Sequence, residues 1–231
     1  QRGALGMALS VIGTAGRQGD HAIDYHGLNP NGQVHWNLEW QALYDAALRR
    51  GEGTLTAHGV LMAETGERTG RSPNDKFVVK AGDENNPLTG DIWWGDVNVP
   101  TTPEIFQKLS AKVRDYLSSR TELFVQDLHC GADADERLAI RVVTENAWHS
   151  AFARNMFLRP SIDEIDSHVP EFTILHAPHF HADPEIDGTN SHVFVMISFE
   201  EKTVIIGGTR YAGEIKKSIF SIMNHLLPGR G

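Results

Sequence analysis

Two apolar, β-branched runs, HVFVMISF and KTVIIGG, follow one another with only a Glu-Glu pair between them. Strands joined by so few residues can pair only as antiparallel neighbours, because a parallel return needs a crossover of about a dozen residues or more. Other runs rich in Val, Ile and Phe, namely LTAHGVLMA, KFVVK, ELFVQDL, RLAIRVV and FTILHA, are bounded by Gly, Pro, Asp or Asn and also read as strands. Helical stripes are fewer. In NLEWQALYDAALRRGEG, Trp40, Leu43, Tyr44, Ala47 and Leu48 share one helical face, with Asn37 as N-cap and Gly51 as the stop. TTPEIFQKLSAKVRDYL opens with Thr102 as cap and Pro103 at the first helical position, and Ile105, Phe106, Leu109, Val113, Tyr116 and Leu117 form its apolar stripe. A third helix follows Thr144, with Trp148, Ala151, Phe152 and Met156 on one side. The fold class is therefore α/β: a mixed, largely antiparallel-containing sheet packed with helices. With no repeat, low-complexity tract or linker, one domain is expected over residues 31–231, preceded by a partly ordered arm over residues 1–30.

Composition narrows the function. A 40% hydrophobic content over 231 residues is enough for a real core. A formal charge of −9 argues against general nucleic-acid binding and against a membrane-surface role. Cys130 is the one cysteine, so no internal disulfide can form, which fits a reducing, cytoplasmic setting. No apolar run approaches the roughly 18 residues that span a bilayer. ALGMALSVIGTAG, residues 4–16, has only a faint likeness to a signal core, since it is diluted with glycine and flanked by Arg2 alone.

Chemistry concentrates in three stretches. In RYAGEIKKSIF, a strand, a glycine-bearing turn and a helix meet, which puts Lys216 and Lys217 in the first helical turn. That end of a helix is partly positive. Glu214 suits it, whereas two ammonium groups there call for an anion or a metal to offset them. Gly208 to Gly213 has the G-x-x-x-x-G spacing of a phosphate loop, but Glu214 stands where that motif needs lysine, so this is no nucleotide loop. In GERTGRSPNDKFVV, Arg68, Arg71 and Lys76 surround a Ser-Pro-Asn-Asp turn that either grips a carboxylate or is a solvated turn with ordinary surface charges. In HAPHFHADPEIDGTN, His176, His179, His181 and Asp183 could supply a metal, although strand alternation and Pro178 work against their convergence. Trp93-Trp94 and DLHCGADADE read as packing and acidic turns. Cys130 has no cation near it in sequence and is a poor nucleophile, and no G-x-S-x-G is present.

Taken in order, GERTGRSPNDKFVV, IWWGDVNVP, FVQDLHCGAD, FHADPEIDGTNS and GGTRYAGEIKKSIFSIMNHLLP closely resemble the N-terminal domain of ATP-dependent phosphoenolpyruvate carboxykinase over residues 36–228. The resemblance implies a gluconeogenic reaction in which oxaloacetate and ATP give phosphoenolpyruvate, ADP and carbon dioxide, with manganese and magnesium as metal cofactors. It implies Lys216 and Lys217 as catalytic residues and Arg71, Tyr211 and Lys217 as substrate-binding residues, with Lys217 also a manganese ligand and a contact to nucleotide phosphate. It further implies a C-terminal nucleotide-binding domain, carrying a phosphate loop and the other metal ligands, that this chain lacks. The end at Pro228-Gly-Arg-Gly231 reads as a domain boundary, so a fragment inactive alone is expected. Two alternatives stand beside it: a stand-alone, non-catalytic module binding dicarboxylates or phosphoenolpyruvate, and a metal-binding protein built on His176, His179, His181 and Asp183.

Overall fold

The computed structural model describes residues 15–83 and 86–229; the apolar stretch at 4–16 lies, but for its last two residues, outside the described residues. In chain order the elements are β1 (Gln33–Trp36), α1 (Trp40–Arg49), β2 (Gly53–Leu55), β3 (Leu61–Ala63), β4 (Lys76–Val79), β5 (Val99–Thr101), α2 (Pro103–Ser118), β6 (Glu122–Cys130), β7 (Leu138–Thr144), α3 (Ala147–Met156), β8 (Phe172–Ala177), α4 (Pro184–Asp187), β9 (Phe194–Ser198), β10 (Thr203–Gly207) and α5 (Gly213–Leu226). Eight strands form one mixed sheet in the order β1-β6-β7-β8-β10-β9-β4-β5. The closely linked runs are the antiparallel ones: β6 with β7, and β9 with β10. The other neighbours are parallel, so the expected mixed sheet leans parallel in its pairings.

Strand periodicity sorts the core into two faces. On β10, Val204 and Ile206 point to the layer of α5, where Ile215, Ile219 and Ile222 pack, while Ile205 points to the layer of α2. The same split runs through β9 and β4: Val195, Ile197 and Val78 on the α5 side, Phe194, Met196, Phe77 and Val79 on the α2 side. Both faces are covered, which is why these strands read as continuous apolar runs. On α2, Phe106, Leu109, Val113 and Leu117 are wholly buried, each worth about 1.5–3 kcal/mol. Thr102 caps that helix by accepting the Ile105 N–H at 3.3 Å.

Three local expectations change. LTAHGVLMA is not one strand but a small hairpin, with β2 paired antiparallel to β3. The cap position of α1 is Glu39, not Asn37. Asn37 is buried in the left-handed region (φ 49°), and its side chain is taken up across the sheet: its Oδ1 accepts the Asp127 N–H at 2.7 Å and its amide donates to the Asp127 carboxylate at 3.1 Å. Met156, expected on the packed side of α3, is 41% exposed.

The segment before β1 is anchored by a buried ion pair. Asp127 and Arg141 face each other across β6 and β7, bonded at 2.7 Å with both side chains fully buried. The rest of the Arg141 guanidinium donates to the carbonyls of Asp20 (2.9 Å) and His21 (2.7 Å) and to His26 Nε2 (2.8 Å). Guanidinium only donates, so His26 Nε2 accepts and its Nδ1–H is left to donate to Thr173 Oγ1 at 3.1 Å. Burial, then Arg141, pushes the His26 pKa down to about 4, consistent with that neutral tautomer.

Candidate functional site

The turn Ser-Pro-Asn-Asp forms a short 3-10 helix over Pro73–Asp75 and delivers Lys76 into β4. On the far side of the sequence, α5 begins at Gly213, so Glu214 lies in its first turn and Lys216 and Lys217 are its fourth and fifth residues. These two stretches meet. The buried carboxylate of Glu214 accepts the Ser72 N–H at 2.7 Å, which fixes the residue after Arg71 against the start of α5. Burial raises the Glu214 pKa above the ordinary carboxylate value, while the Ser72 N–H, Arg71 and Lys76 pull it back.

Beside that junction lies a cavity of about 360 Å³ between α5 and the 91–98 loop. Arg71, Lys76 and Lys217 line it, together with Asp91, Trp93, Asn98 and Ser221. Lys76 Nζ donates to Ser221 Oγ at 2.9 Å and lies 3.4 Å from Asn98 Oδ1. Burial, then Arg71, holds its ammonium below the ordinary lysine value, with Glu214 opposing. Lys217 lies half-buried, its Nζ 4.7 Å from the centre of the Phe220 ring. Three cations and one carboxylate, Asp91, line the cleft, whose apolar lining includes Val78, Val195 and Ile197. Such a cleft suits a compact anion, with Arg71 able to grip a carboxylate in two-point fashion.

Arg71 and Lys217 are thus brought together, while the other two site residues lie off this cavity. Lys216 is exposed on α5, and neither it nor Tyr211 is among the residues lining the cleft. The Tyr211 ring lies over the helix start, so close that a Cβ on Gly213 would come within 2.4 Å of it. In sequence Glu214 reads as a residue suited to the helix dipole and as the break in a phosphate-loop pattern; that it joins the two motifs is not visible there. Lys76 reads in sequence as one charge of the turn; its place in the cleft follows from β4 lying beside β9, which no local signal reveals.

The histidine set does not converge. His176 is wholly buried on β8, its Nε2–H given to the Thr209 carbonyl at 3.0 Å, and its pKa is pushed down to about 4 by burial. Asp183 caps α4 through the Glu185 N–H at 3.1 Å, while His179 and His181 are exposed on the intervening turn. Among the described residues no group of three His, Cys, Asp or Glu side chains could hold a metal ion. Half-buried Cys130 has its thiol pKa raised by burial, in keeping with a poor nucleophile. No helix among the described residues is long and apolar enough to cross a membrane.

Comparison with known proteins bears on this cleft. A family model described as phosphoenolpyruvate carboxykinase matches residues 32–231. The chain is 53% identical over 209 residues to phosphoenolpyruvate carboxykinase (ATP) of Thermus thermophilus, covering 89% of this chain and 39% of that protein. It is 52% identical over 209 residues to the protein of the same name from Bacillus velezensis (90% and 39% covered) and 47% identical over 210 residues to that of a Geobacter species (90% and 39% covered). The chain therefore spans about 39% of the length of these relatives. The match spans both motifs that build the cleft, the loop bearing Arg71 and the helix bearing Lys217, and the chain belongs to the ATP-dependent phosphoenolpyruvate carboxykinase family.

Proposed function

We propose that this chain is the substrate-side part of a carboxykinase that converts oxaloacetate and ATP to phosphoenolpyruvate, ADP and carbon dioxide. In that reaction the bond from the β-carboxylate carbon to its neighbour breaks, carbon dioxide leaves, and the electron pair becomes an enolate. The enolate oxygen then takes the γ-phosphoryl group as its bond to the ADP oxygen breaks. The observation that carries the reading is that Arg71, Lys76 and Lys217 line one cavity whose lining holds a single carboxylate. Arg71 binds a substrate carboxylate, and the two lysines face oxygens on which negative charge develops, where fixed cations lower the barrier. Lys216 and Tyr211 take their roles from the family pattern: Lys216 at the phosphoryl-transfer centre as a catalytic group, Tyr211 against the substrate.

Residues 31–231 act in this reading as the substrate-binding domain, with the nucleotide domain in the remaining length that the relatives possess. Manganese and magnesium are the metals the family implies. The donor set tells against a site built by this chain alone, since Lys217 is one ligand and the described residues offer no cluster of carboxylates or imidazoles around it. The setting is cytoplasmic, in keeping with the lone Cys130.

Calorimetric titration of oxaloacetate into the full chain tests the site. Arg71→Ala should weaken binding about tenfold or more, as loss of a charge-assisted contact does; unchanged affinity would remove Arg71 from the site. Supplied with oxaloacetate, ATP and manganese, the chain should form no phosphoenolpyruvate, and substantial turnover would overturn its incompleteness.

A further inference from the structure

Eight of the described arginines make an ion pair with a carboxylate within 4.0 Å: Arg17, Arg49, Arg50, Arg114, Arg120, Arg137, Arg141 and Arg154. Among the described residues Arg68, Arg71, Arg159 and Arg210 make none. In a chain with nine more acidic than basic side chains, an unpaired guanidinium is a choice that needs a reason. Arg71 has the cavity described above. Arg68 and Arg210 line a different one, of about 460 Å³, whose walls also carry His179, His181 and His192 and whose one carboxylate is Glu67.

This second cleft is built rather than incidental. Its Arg210 backbone is held from behind by two wholly buried imidazoles: His149 Nε2–H donates to the Arg210 carbonyl at 2.9 Å, and His176 donates to the adjacent Thr209 carbonyl. The two rings pack edge to face at 4.3 Å, and burial holds the pKa of each below the ordinary histidine value, so neither adds a charge behind the cleft. The Arg210 guanidinium lies directly against Gly66, where a Cβ would come within 2.4 Å of Nη2. Gly66 has φ +67°, a conformation that also favours glycine, so the loop is shaped to admit the arginine. Across the cleft, the His181 and His192 rings lie 4.7 Å apart. Glu67 forms no ion pair with either arginine, so the guanidinium charge stays open to solvent.

We propose that Arg68 and Arg210, with His179, His181 and His192 on the same walls, form a second anion-binding site for a compact dianion, distinct from the Arg71–Lys217 cavity. A phosphate group and a small dicarboxylate share the chemistry it recognises: several oxygens of one charge close enough to meet two guanidinium forks at once. The site stands on its own residues and does not depend on the carboxykinase reading.

The test uses the full chain, with inorganic phosphate and malonate as separate probes and the imidazole resonances of His179, His181 and His192 as reporters. One or both anions should shift those resonances and saturate. Response to phosphate alone assigns a phosphoanion, response to malonate alone a dicarboxylate, and equal response to both a general dianion site. Arg68→Gln and Arg210→Gln should each weaken the binding about tenfold or more, while Arg71→Ala leaves it unchanged. Arg68 makes no hydrogen bond within the described protein, so loss of binding in that variant is not a folding effect. The inference is overturned if neither anion moves the three imidazoles, if the Arg68 and Arg210 variants bind as well as the parent, or if only Arg71→Ala abolishes the response. Oxaloacetate binding that is lost in Arg71→Ala but kept in Arg68→Gln would separate this site from the substrate cavity.

Discussion

Replacing Arg141 with Met should destabilise the protein more than its loss of one contact suggests. Methionine fills much of the same buried volume but gives up the Asp127 pair, the donors to the Asp20 and His21 carbonyls and the donor to His26. It also ends the placement of the guanidinium 4.9 Å from the Trp36 ring centre. Asp127, fully buried, keeps the Gly19 N–H and the Asn37 amide as hydrogen-bond donors, and His168 Nε2 at 3.9 Å, whose pKa burial holds below the ordinary histidine value. Removing one partner of a buried pair leaves an uncompensated charge and costs about 3–5 kcal/mol. At a urea dependence of about 3 kcal/mol per molar, that lowers the unfolding midpoint by roughly 1–1.7 M. The damage should also be local: amide exchange at residues 19–27 should quicken, because Arg141 is what ties that segment to β7. Adding Asp127→Asn to Arg141→Met should recover part of the loss, since the stranded charge is then gone. A midpoint within about 0.3 M of the parent, or unchanged protection at Gly19, would refute the idea that this pair holds the N-terminal segment.

Other outcomes follow from single contacts. Glu214→Ala strands the buried Ser72 N–H and should cost about 1–3 kcal/mol, whereas Glu214→Gln, which keeps an acceptor oxygen, should cost clearly less; equal losses in thermal melts would deny the hydrogen bond its role. Thr102→Ala should cost about 1 kcal/mol through loss of the α2 cap, read as a urea midpoint. His176, like His26 and His129, has a folded pKa pushed from 6.5 down to about 4 by burial. Between those values the unfolded chain binds more protons than the folded one, so stability falls as pH drops through that window and is level above it. Midpoints measured at about pH 7.5 and about pH 5 should differ, and the difference should shrink in His176→Gln; a flat profile in the parent protein would contradict the burial argument.

What could be read from residues alone was what local physics decides. The Glu-Glu link between two apolar runs fixed β9 and β10 as an antiparallel pair, and Thr102-Pro103 fixed the start of α2. The edge strands escaped notice for physical reasons: β1, QVHW, has little apolar content, and β5, VPT, contains a proline that only a sheet edge accepts. Asn37 looks like a helix cap until the Asp127 peptide and carboxylate, ninety residues away, claim its side chain. His176 looks like a ligand until β8 carries it into the core. At the site, the family pattern named Arg71, Tyr211, Lys216 and Lys217, of which only Arg71 and Lys217 line the cavity; Lys76 and Glu214 emerge only when β4 and α5 are seen together.

The Ser72–Glu214 hydrogen bond closes a loop of 142 residues. Closing a flexible chain of that length costs roughly 4 kcal/mol in entropy before any contact repays it. Hairpins such as β9–β10 face no such delay, so the Arg71–Lys217 cavity is among the last features to assemble as the chain folds. An anion bound there stabilises interactions that the folding transition state has not yet made. Its addition should leave the refolding rate nearly unchanged and slow unfolding, making the occupied protein longer-lived rather than quicker to form.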